Sequence, residues 1–247
     1  MSDVLRASGL ILETPLEASI VQSLERVASL IRGRGYPCQA SSKPALVRLP
    51  MLSSEQKHQV LHQLQVLEQI IFAKEPEAPP VEKGEHSEKN IVEQALDFYN
   101  LEIRDDFWSR VKSNEVIEIY NQNQIQIFRT LNFFNYCGYS LLDLLTNEWY
   151  TLWQRPSTIL EALKTKAEEV FSGVTSGAQA LNLSNHLVLE IFNSEKDEFF
   201  LPRSMLIEFG ILCPLYRRDL PIVQGALITS SVSNLTIGKE TNRMAVL

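Results

Sequence analysis

One stretch of the sequence, residues 115–145, constrains the fold most, because two short alternating segments lead directly into a helix. In the first segment Ile117 and Ile119 share one face of a strand. In the second segment Ile125 and Ile127 do the same. The Asn-Gln-Asn between the segments favours a turn, since asparagine tolerates left-handed backbone angles. The stretch therefore predicts a β-hairpin followed by a helix.

Composition limits the class of protein. The chain has 247 residues, 45% of them hydrophobic and 21% charged, which is enough globular material for more than one folding unit. A formal net charge of -7 argues against a nucleic-acid partner and against anionic membrane surfaces. The sequence has no apolar run of about 20 residues and no signal-peptide pattern. We expect a soluble, cytoplasmic protein without membrane insertion.

Residues 1–74 predict a mainly helical N-terminal unit. Thr14 suits the N-cap and Pro15 the first position of a helix that continues to about Arg32. Further along, Ala45 to Leu49 is a short apolar piece that favours either a strand or an extended connection.

A second helix is predicted from Ser53 or Ser54 to about Lys74, with Gln56 as a capping partner. Its apolar residues form a heptad-like seam over about two heptads, and these residues are Val60, Leu64, Leu67 and Ile71. The seam predicts a packing face. We expect this face, or the helix before the first strand, to form the interface of a homodimer.

The composition then changes at residues 75–89, where three prolines lie among glutamates without an apolar face. Such a segment is typical of an extended linker. It separates the N-terminal unit from a predicted α+β domain at residues 90–235, and residues 236–247 are predicted to form a flexible tail.

The last third of the chain changes its apolar period from helical spacing to alternation. Residues 186–192, 205–216 and 222–232 are rich in β-branched and aromatic residues and are separated by polar turns. Together with the first hairpin they predict a five-stranded antiparallel sheet. The fold class is therefore α+β, with helices on one face of the sheet.

This order of elements resembles a PAS sensory domain over residues 113–235. The best local match is Gly138-Tyr139-Ser140 followed by Asp143-Leu144, which is similar to a helix start common in that family. The chain departs from the family in its first turn, which has no glycine. It also has no flavin-reactive cysteine motif and no histidine on the long helix for heme. The resemblance thus predicts a divergent PAS-like domain, and we expect no cofactor.

In PAS-like domains the sheet and the helices after the second strand enclose a cavity. The resemblance therefore makes the large aromatic residues of this region candidates for a ligand pocket, and they are Phe128, Tyr136, Trp149, Trp153 and Phe209. The alternative is a simple hydrophobic core, since a domain of this size must bury its aromatic residues in any case.

Candidate catalytic and metal-binding residues are weakly supported. His58 and His62 share a helix face, but the residues between them include no glutamate and a third ligand is not apparent. We expect no metal site and buried free thiols for the three cysteines. A histidine such as His186 beside a carboxylate or beside Cys213 would favour an enzyme.

The sequence therefore predicts a signalling or regulatory protein rather than an enzyme. Its PAS-like domain would sense a small molecule or a protein partner and act through protein contacts. The alternatives are a structural adaptor with an occluded core, which binds no molecule, and an enzyme of an unrecognised type.

Overall fold

The computed structural model describes residues 14–72, 85–112, 114–147, 149–191 and 203–235. The chain divides into two compact units. The described residues of the first unit lie within 14–72 and 139–152, and those of the second unit lie within 85–138, 153–191 and 203–235. The predicted tail at 236–247 and most of the predicted linker lie outside the described residues.

Helices and strands follow one another in an α+β order. The helices in the described ranges are α1 Pro15–Gly33, α2 Lys43–Arg48, α3 Ser54–Phe72, α4 Glu85–Phe98, α5 Leu141–Thr146, α6 Trp149–Leu152 and α7 Ser157–Phe171, with 3-10 helices at Leu49–Met51 and Leu131–Asn135. The strands in those ranges are β1 Leu101–Glu102, β2 Val116–Asn121, β3 Gln126–Arg129, β4 Trp153–Gln154, β5 Gln179–Ala180, β6 His186–Glu190, β7 Ser204–Arg217 and β8 Val223–Leu235.

The two long helices of the first unit begin where the sequence predicts. Thr14 Oγ1 accepts a hydrogen bond from the backbone N–H of Glu17 at 3.3 Å. At the start of α3, Ser53 and Gln56 each accept from the other's backbone N–H, at 3.2 Å and 2.9 Å. Both arrangements satisfy N–H groups that the helix itself leaves without partners.

The predicted strand or extended connection at Ala45 to Leu49 is wrong, because residues 43–51 are helical. Ser42 caps α2 by accepting from the backbone N–H of Ala45 at 3.2 Å, and Pro44 lies in the first turn. A proline at that position costs the helix no hydrogen bond. Ala45 and Leu49 lie four residues apart and are both fully buried, so these apolar residues form the buried face of a helical segment.

Helices α1 and α3 pack against each other, and this packing accounts for the apolar seam of α3. Val60, Leu64 and Ile71 are each no more than 3% exposed, and Leu67 is half-buried. A side chain that is buried within one chain has no apolar surface left for a second copy. The structure therefore places the predicted dimer seam in the core of the first unit.

A buried ion pair accompanies this packing. Lys57 Nζ lies 2.8 Å from Glu17 Oε1, and it also donates to the carbonyl oxygen of Pro50 at 3.0 Å. The carboxylate is 1% exposed and the ammonium side chain 11%. Glu17, in the first turn of α1, thus links α1 to α3.

The Gly-Tyr-Ser segment that carries the family resemblance begins α5. Ser140 and Asp143 form a reciprocal capping box at this helix start. Asp143 also accepts from Arg48 at 2.8 Å, and the backbone N–H of Leu141 donates to the carbonyl of Gln39 at 2.8 Å. These contacts attach α5 to the N-terminal helices, and the motif from Tyr139 onward belongs to the first unit, whereas Gly138 belongs to the second.

The described end of the predicted linker is helical. Helix α4 begins at Glu85 rather than after residue 89. Ile91, Val92 and Ala95 are fully or almost fully buried. A helix with such a face gains enough from burial to extend into the polar residues before it.

An antiparallel sheet forms the second unit. Its main path runs β3-β2-β8-β7-β6-β4, and β1 and β5 each pair with β7. The five predicted strands correspond to β2, β3, β6, β7 and β8, while the two-residue strands β1, β4 and β5 raise the observed number to eight. Strands of two residues carry no alternation, which explains why the sequence did not indicate them.

The hairpin of β7 and β8 is the longest ladder of the sheet and contains an irregularity between Phe209 and Leu212. Gly210 lies there, and a Cβ atom at this position would come within 2.4 Å of Thr229 Oγ1. Thr229 Oγ1 instead accepts from the backbone N–H of Ile211 at 2.9 Å. The bulge therefore requires glycine at residue 210.

Candidate functional site

The side chains of β2 alternate between two buried faces of the sheet. Glu118 pairs across the ladder with Arg129 on β3, and the next residue, Ile119, pairs with Phe128. Successive side chains on a strand point to opposite faces. Glu118 and Arg129 therefore share one face, and Phe128 lies on the other.

The face with Glu118 and Arg129 encloses a small cavity of about 20 Å³. This volume has room for about one or two water molecules. Ser230 and aliphatic side chains of β2, β7 and β8 line part of the cavity. The charged and aromatic side chains that line it are Glu118, Arg129, Arg155, Phe133, Trp153 and Phe209.

Glu118 is the negative charge of this cavity. Its Oε1 lies 2.7 Å from Arg129 Nε, and its Oε2 accepts from the hydroxyl of Tyr120 at 2.9 Å. Burial alone would raise the pKa of Glu118, but the guanidinium groups of Arg129 and Arg155 outweigh burial and hold this pKa below its usual value. Glu118 is therefore ionised at neutral pH.

Two arginines supply the positive charge. The guanidinium carbon of Arg129 lies 3.9 Å from the ring centroid of Phe133, and that of Arg155 lies 5.7 Å from the centroid of Phe209. Burial lowers the pKa of Arg155, and the charge of Glu118 counteracts this change. Arginine remains protonated in proteins, so both side chains keep their charge.

Tyr120 is held neutral beside this cluster. Burial and the negative charge of Glu118 both raise the pKa of its hydroxyl. Gln126 Nε2 donates to the same hydroxyl at 3.0 Å, which leaves the hydroxyl proton for Glu118. The tyrosine is thus a hydrogen-bond donor and adds no charge to the site.

His186 extends the cluster along β6. Its ring stacks on Phe209 with 5.5 Å between centroids, and Nδ1 lies 3.2 Å from the carbonyl oxygen of Ser184. Burial lowers the pKa of His186, so the ring is neutral at neutral pH. Within the described residues Nε2 has no hydrogen-bond partner.

Three of the described side chains that line the cavity are charged. Arg129 and Arg155 are cationic, and Glu118 is anionic. The site therefore combines buried charged groups with aromatic walls on one face of the sheet.

The structure brings two of the five predicted pocket residues to the cavity. Trp153 and Phe209 line it, and Trp153 meets Phe133 edge to face at 5.8 Å between centroids. Phe128 does not line it, because it precedes Arg129 on β3 and pairs with Ile119, so simple alternation places its ring on the opposite face of the sheet. Tyr136 is half-buried elsewhere. The side chain of Trp149 lies outside the described part of the structure.

Sequence reasoning missed the charged residues of the site. The sequence did contain one signal, which is that Glu118 interrupts an otherwise apolar strand. Because both faces of a central strand are buried, a charged residue there indicates a buried charge that needs a partner. Arg129 lies opposite Glu118 in any hairpin of this register. Arg155 is brought to the cavity by the two-residue strand β4, for which the sequence gives no pattern.

The residues considered for catalysis make structural contacts. Cys213 Sγ lies 3.7 Å from Asp105 Oδ1, and burial together with this carboxylate raises the pKa of the thiol. A raised pKa makes a thiol less nucleophilic at neutral pH. His58 Nδ1 lies 2.7 Å from the carbonyl oxygen of its own helix at Ser54.

No three or more His, Cys, Asp or Glu side chains among the described residues are grouped so that they could hold a metal ion. None of the helices in the described ranges is both long and apolar enough to span a membrane.

Comparison with known proteins gives no relative. No family model matches the chain, no curated protein does, and no solved structure does.

Proposed function

We propose that the chain is a signalling or regulatory protein whose second unit is a PAS-like sensory domain, acting through protein contacts without a catalytic step of its own. The observation that carries the proposal is the charged cavity of Glu118, Arg129 and Arg155. Burying ions costs several kcal/mol each, and well-packed apolar side chains of similar volume are often as stable or more stable. A charged lining is therefore better explained by a ligand than by stability.

The arrangement of the sheet supports a PAS-like domain. The five longer strands lie side by side in the order β3, β2, β8, β7 and β6. If these five are numbered along the chain, the order across the sheet is 2-1-5-4-3. The first and last of these strands are neighbours, and helices α5, α6 and α7 lie in the connection between the second and the third. This is the order of elements expected for a PAS-like domain.

The size of the cavity favours a second candidate function. Pockets for drug-sized ligands have volumes of roughly 300–1,000 Å³, whereas this cavity has about 20 Å³. An adaptor that uses the sheet as an interaction surface, with an occluded core, requires no larger space. The two candidates differ in whether the folded chain carries a ligand.

Native mass spectrometry of the purified full-length protein distinguishes them. The sensor proposal predicts a bound molecule that adds to the chain mass and is lost when the protein is unfolded. A ligand-free chain that still associates with copies of itself or with a partner would favour the adaptor. The same spectrum reports the number of subunits, which tests the expected homodimer.

A further inference from the structure

We propose that one end of the sheet in the second unit binds a second copy of this chain through a patch of exposed apolar side chains. This apolar patch consists of Phe98, Ile125, Leu220 and Ile222. The inference rests on the proposed function, since it names the partner of the protein contacts through which the second unit would act. The positions of these side chains, their exposure and the charges beside them support it.

Two turns lie side by side at this end of the sheet. The last residue of β2, Asn121, pairs with Gly225 near the start of β8. The turn between β2 and β3 therefore lies beside the turn between β7 and β8. Ile125 belongs to the first of these turns, whereas Leu220 and Ile222 belong to the second.

The corner between α4 and β1 lies at the same end. The backbone N–H of Arg218, in the turn between β7 and β8, donates to the carbonyl oxygen of Asn100 at 3.2 Å. The hydroxyl of Tyr99 donates to the carbonyl oxygen of Ile127 on β3 at 3.1 Å, which ties the corner to the other turn as well. Phe98 is the last residue of α4 and precedes this corner directly. The two turns and the corner thus bring the four apolar side chains to one region.

All four side chains of the apolar patch are exposed in the folded chain. The exposed fraction is 42% for Phe98, 45% for Ile125, 41% for Leu220 and 48% for Ile222. Single exposed apolar side chains are common on protein surfaces, whereas a group of them on adjacent segments marks a contact surface. The patch therefore favours a partner with apolar side chains of its own.

The charges beside the patch are balanced. Arg104 donates to the carbonyl oxygen of Leu220 at 3.4 Å, so charged side chains lie directly beside the apolar ones. Three ion pairs are formed in this region, and they join Asp97 to Arg218, Glu102 to Arg104 at 2.6 Å and Asp219 to Arg217 at 2.7 Å. These three cations and three anions neutralise one another.

Balanced charges fit a second copy better than a partner of different charge. Two identical copies related by a twofold axis present the same surface to each other, so this surface must complement itself. The chain has a net charge of -7, and two copies therefore repel each other on average. At the apolar patch this repulsion is absent, and each arginine of one copy finds carboxylates on the other. A strongly acidic or basic partner gains nothing from such a surface.

Sedimentation velocity of the full-length protein over a range of concentrations tests the inference. We expect the wild type to form a dimer that dissociates on dilution. Ile222→Glu should weaken this self-association by about tenfold or more, because it places a carboxylate of each copy in the apolar centre of the interface.

The matched control is Leu187→Glu. Leu187 belongs to the same unit and is 42% exposed, but it lies on β6 and pairs with Leu206, toward the other end of β7. The same substitution there should leave the dissociation constant of the dimer unchanged. An equal loss in both variants would show that the added charge alone weakens association, and it would overturn the inference.

A second variant does not depend on the folding of Ile222→Glu. Phe98→Ala adds no charge and removes an exposed ring, so it should weaken self-association by about fivefold. Unchanged self-association in folded Phe98→Ala and in folded Ile222→Glu would contradict an interface at the apolar patch. A wild type that stays monomeric at every concentration would contradict it as well.

The failure of the inference can be separated from the failure of the proposed function. If the wild type is monomeric but native mass spectrometry reveals a bound molecule, the sensory function stands with a different protein partner. If the wild type is monomeric and ligand-free, the sensory function fails as well. A dimer that neither variant weakens overturns the apolar patch as the interface and leaves the proposed protein contacts in place.

Discussion

Replacement of Glu118 by Gln should lower the free energy of unfolding by about 3 kcal/mol at neutral pH, because breaking a buried ion pair costs roughly 3 to 5 kcal/mol. The carboxylate lies 2.7 Å from Arg129 Nε and accepts from Tyr120, and the side chains of Glu118 and Arg129 are each only 12% exposed. The substitution leaves two guanidinium groups beside a neutral amide. The amide oxygen still accepts one hydrogen bond, which places the expected loss at the lower end of the range.

The loss should depend on pH in a defined direction. The pKa of Glu118 is lower in the folded protein than its ordinary value of 4.5. A lowered pKa means that the ionised carboxylate stabilises the fold at pH values above about 4.5 and that this contribution disappears as pH falls through the folded-state pKa. The difference between wild type and Glu118→Gln should therefore be constant near neutral pH and shrink below pH 4.5.

Urea unfolding followed by tryptophan fluorescence measures this difference between pH 3.5 and pH 7.5, since urea adds no ions that screen the pair. Glu208→Gln is the control, because Glu208 lies on a strand of the same unit, 3.7 Å from Lys112, with its side chain 50% exposed. We expect this control to change stability by less than about 0.5 kcal/mol. A variant Glu118→Gln as stable as the wild type at neutral pH would refute the reasoning.

Further substitutions test the packing within each unit by the same unfolding assay. Trp153→Ala, at a site 5% exposed, should cost about 3 to 5 kcal/mol, and a loss under 1 kcal/mol would show that the ring is not core. Gly210→Ala should destabilise the protein by at least about 1 kcal/mol, because the new Cβ would meet buried side-chain oxygen atoms. Its control is Gly33→Ala, where no heavy atom lies within 4 Å of the new Cβ, and this variant should be as stable as the wild type or slightly more stable. Lys57→Met should lower the free energy of unfolding by about 3 kcal/mol, because it leaves the carboxylate of Glu17 buried without its ammonium partner, and adding Glu17→Met should recover most of this loss. A double variant as unstable as the single variant would contradict the buried ion pair.

Local features were the most predictable part of the fold. The starts of α1 and α3 follow from capping residues at Thr14 and Ser53, whose hydrogen bonds involve neighbours three residues away. The five longer strands follow from alternation and turn residues. These signals lie within a few residues of one another, so one sequence contains them completely.

Features that depend on distant partners were not predictable. The seam around Leu64 has the pattern of an interface, but the pattern does not say whether the partner is a second chain or α1 of the same chain. The hairpin turn was attributed to asparagine, yet Gln124 has the positive φ of 59°, and Asn121 accepts from the backbone N–H of Ile125 at 3.0 Å. The tertiary context decides the partner of the seam, whereas the hydrogen bond of Asn121 is local and the sequence alone did not indicate it.

The cavity was predictable in part of its aromatic lining and not in its charges. Trp153 and Phe209 were expected there from the resemblance to PAS domains, whereas Phe133, which also lines the cavity, was not. The positions of Glu118, Arg129 and Arg155 depend on the register of the β2–β3 hairpin and on the placement of β4 beside β6. Strand pairing between segments far apart in sequence determines this constellation, and no local pattern encodes it.

Native mass spectrometry of the full-length wild type beside Arg155→Gln tests the central claim most directly, which is that the charged cavity holds a small ligand. The account predicts a bound molecule that adds to the mass of the folded wild type and is lost on unfolding. Less of this molecule should remain on folded Arg155→Gln, because the substitution removes a charged group that lines the cavity. A wild type at the bare chain mass, or equal occupancy in Arg155→Gln, would contradict the account.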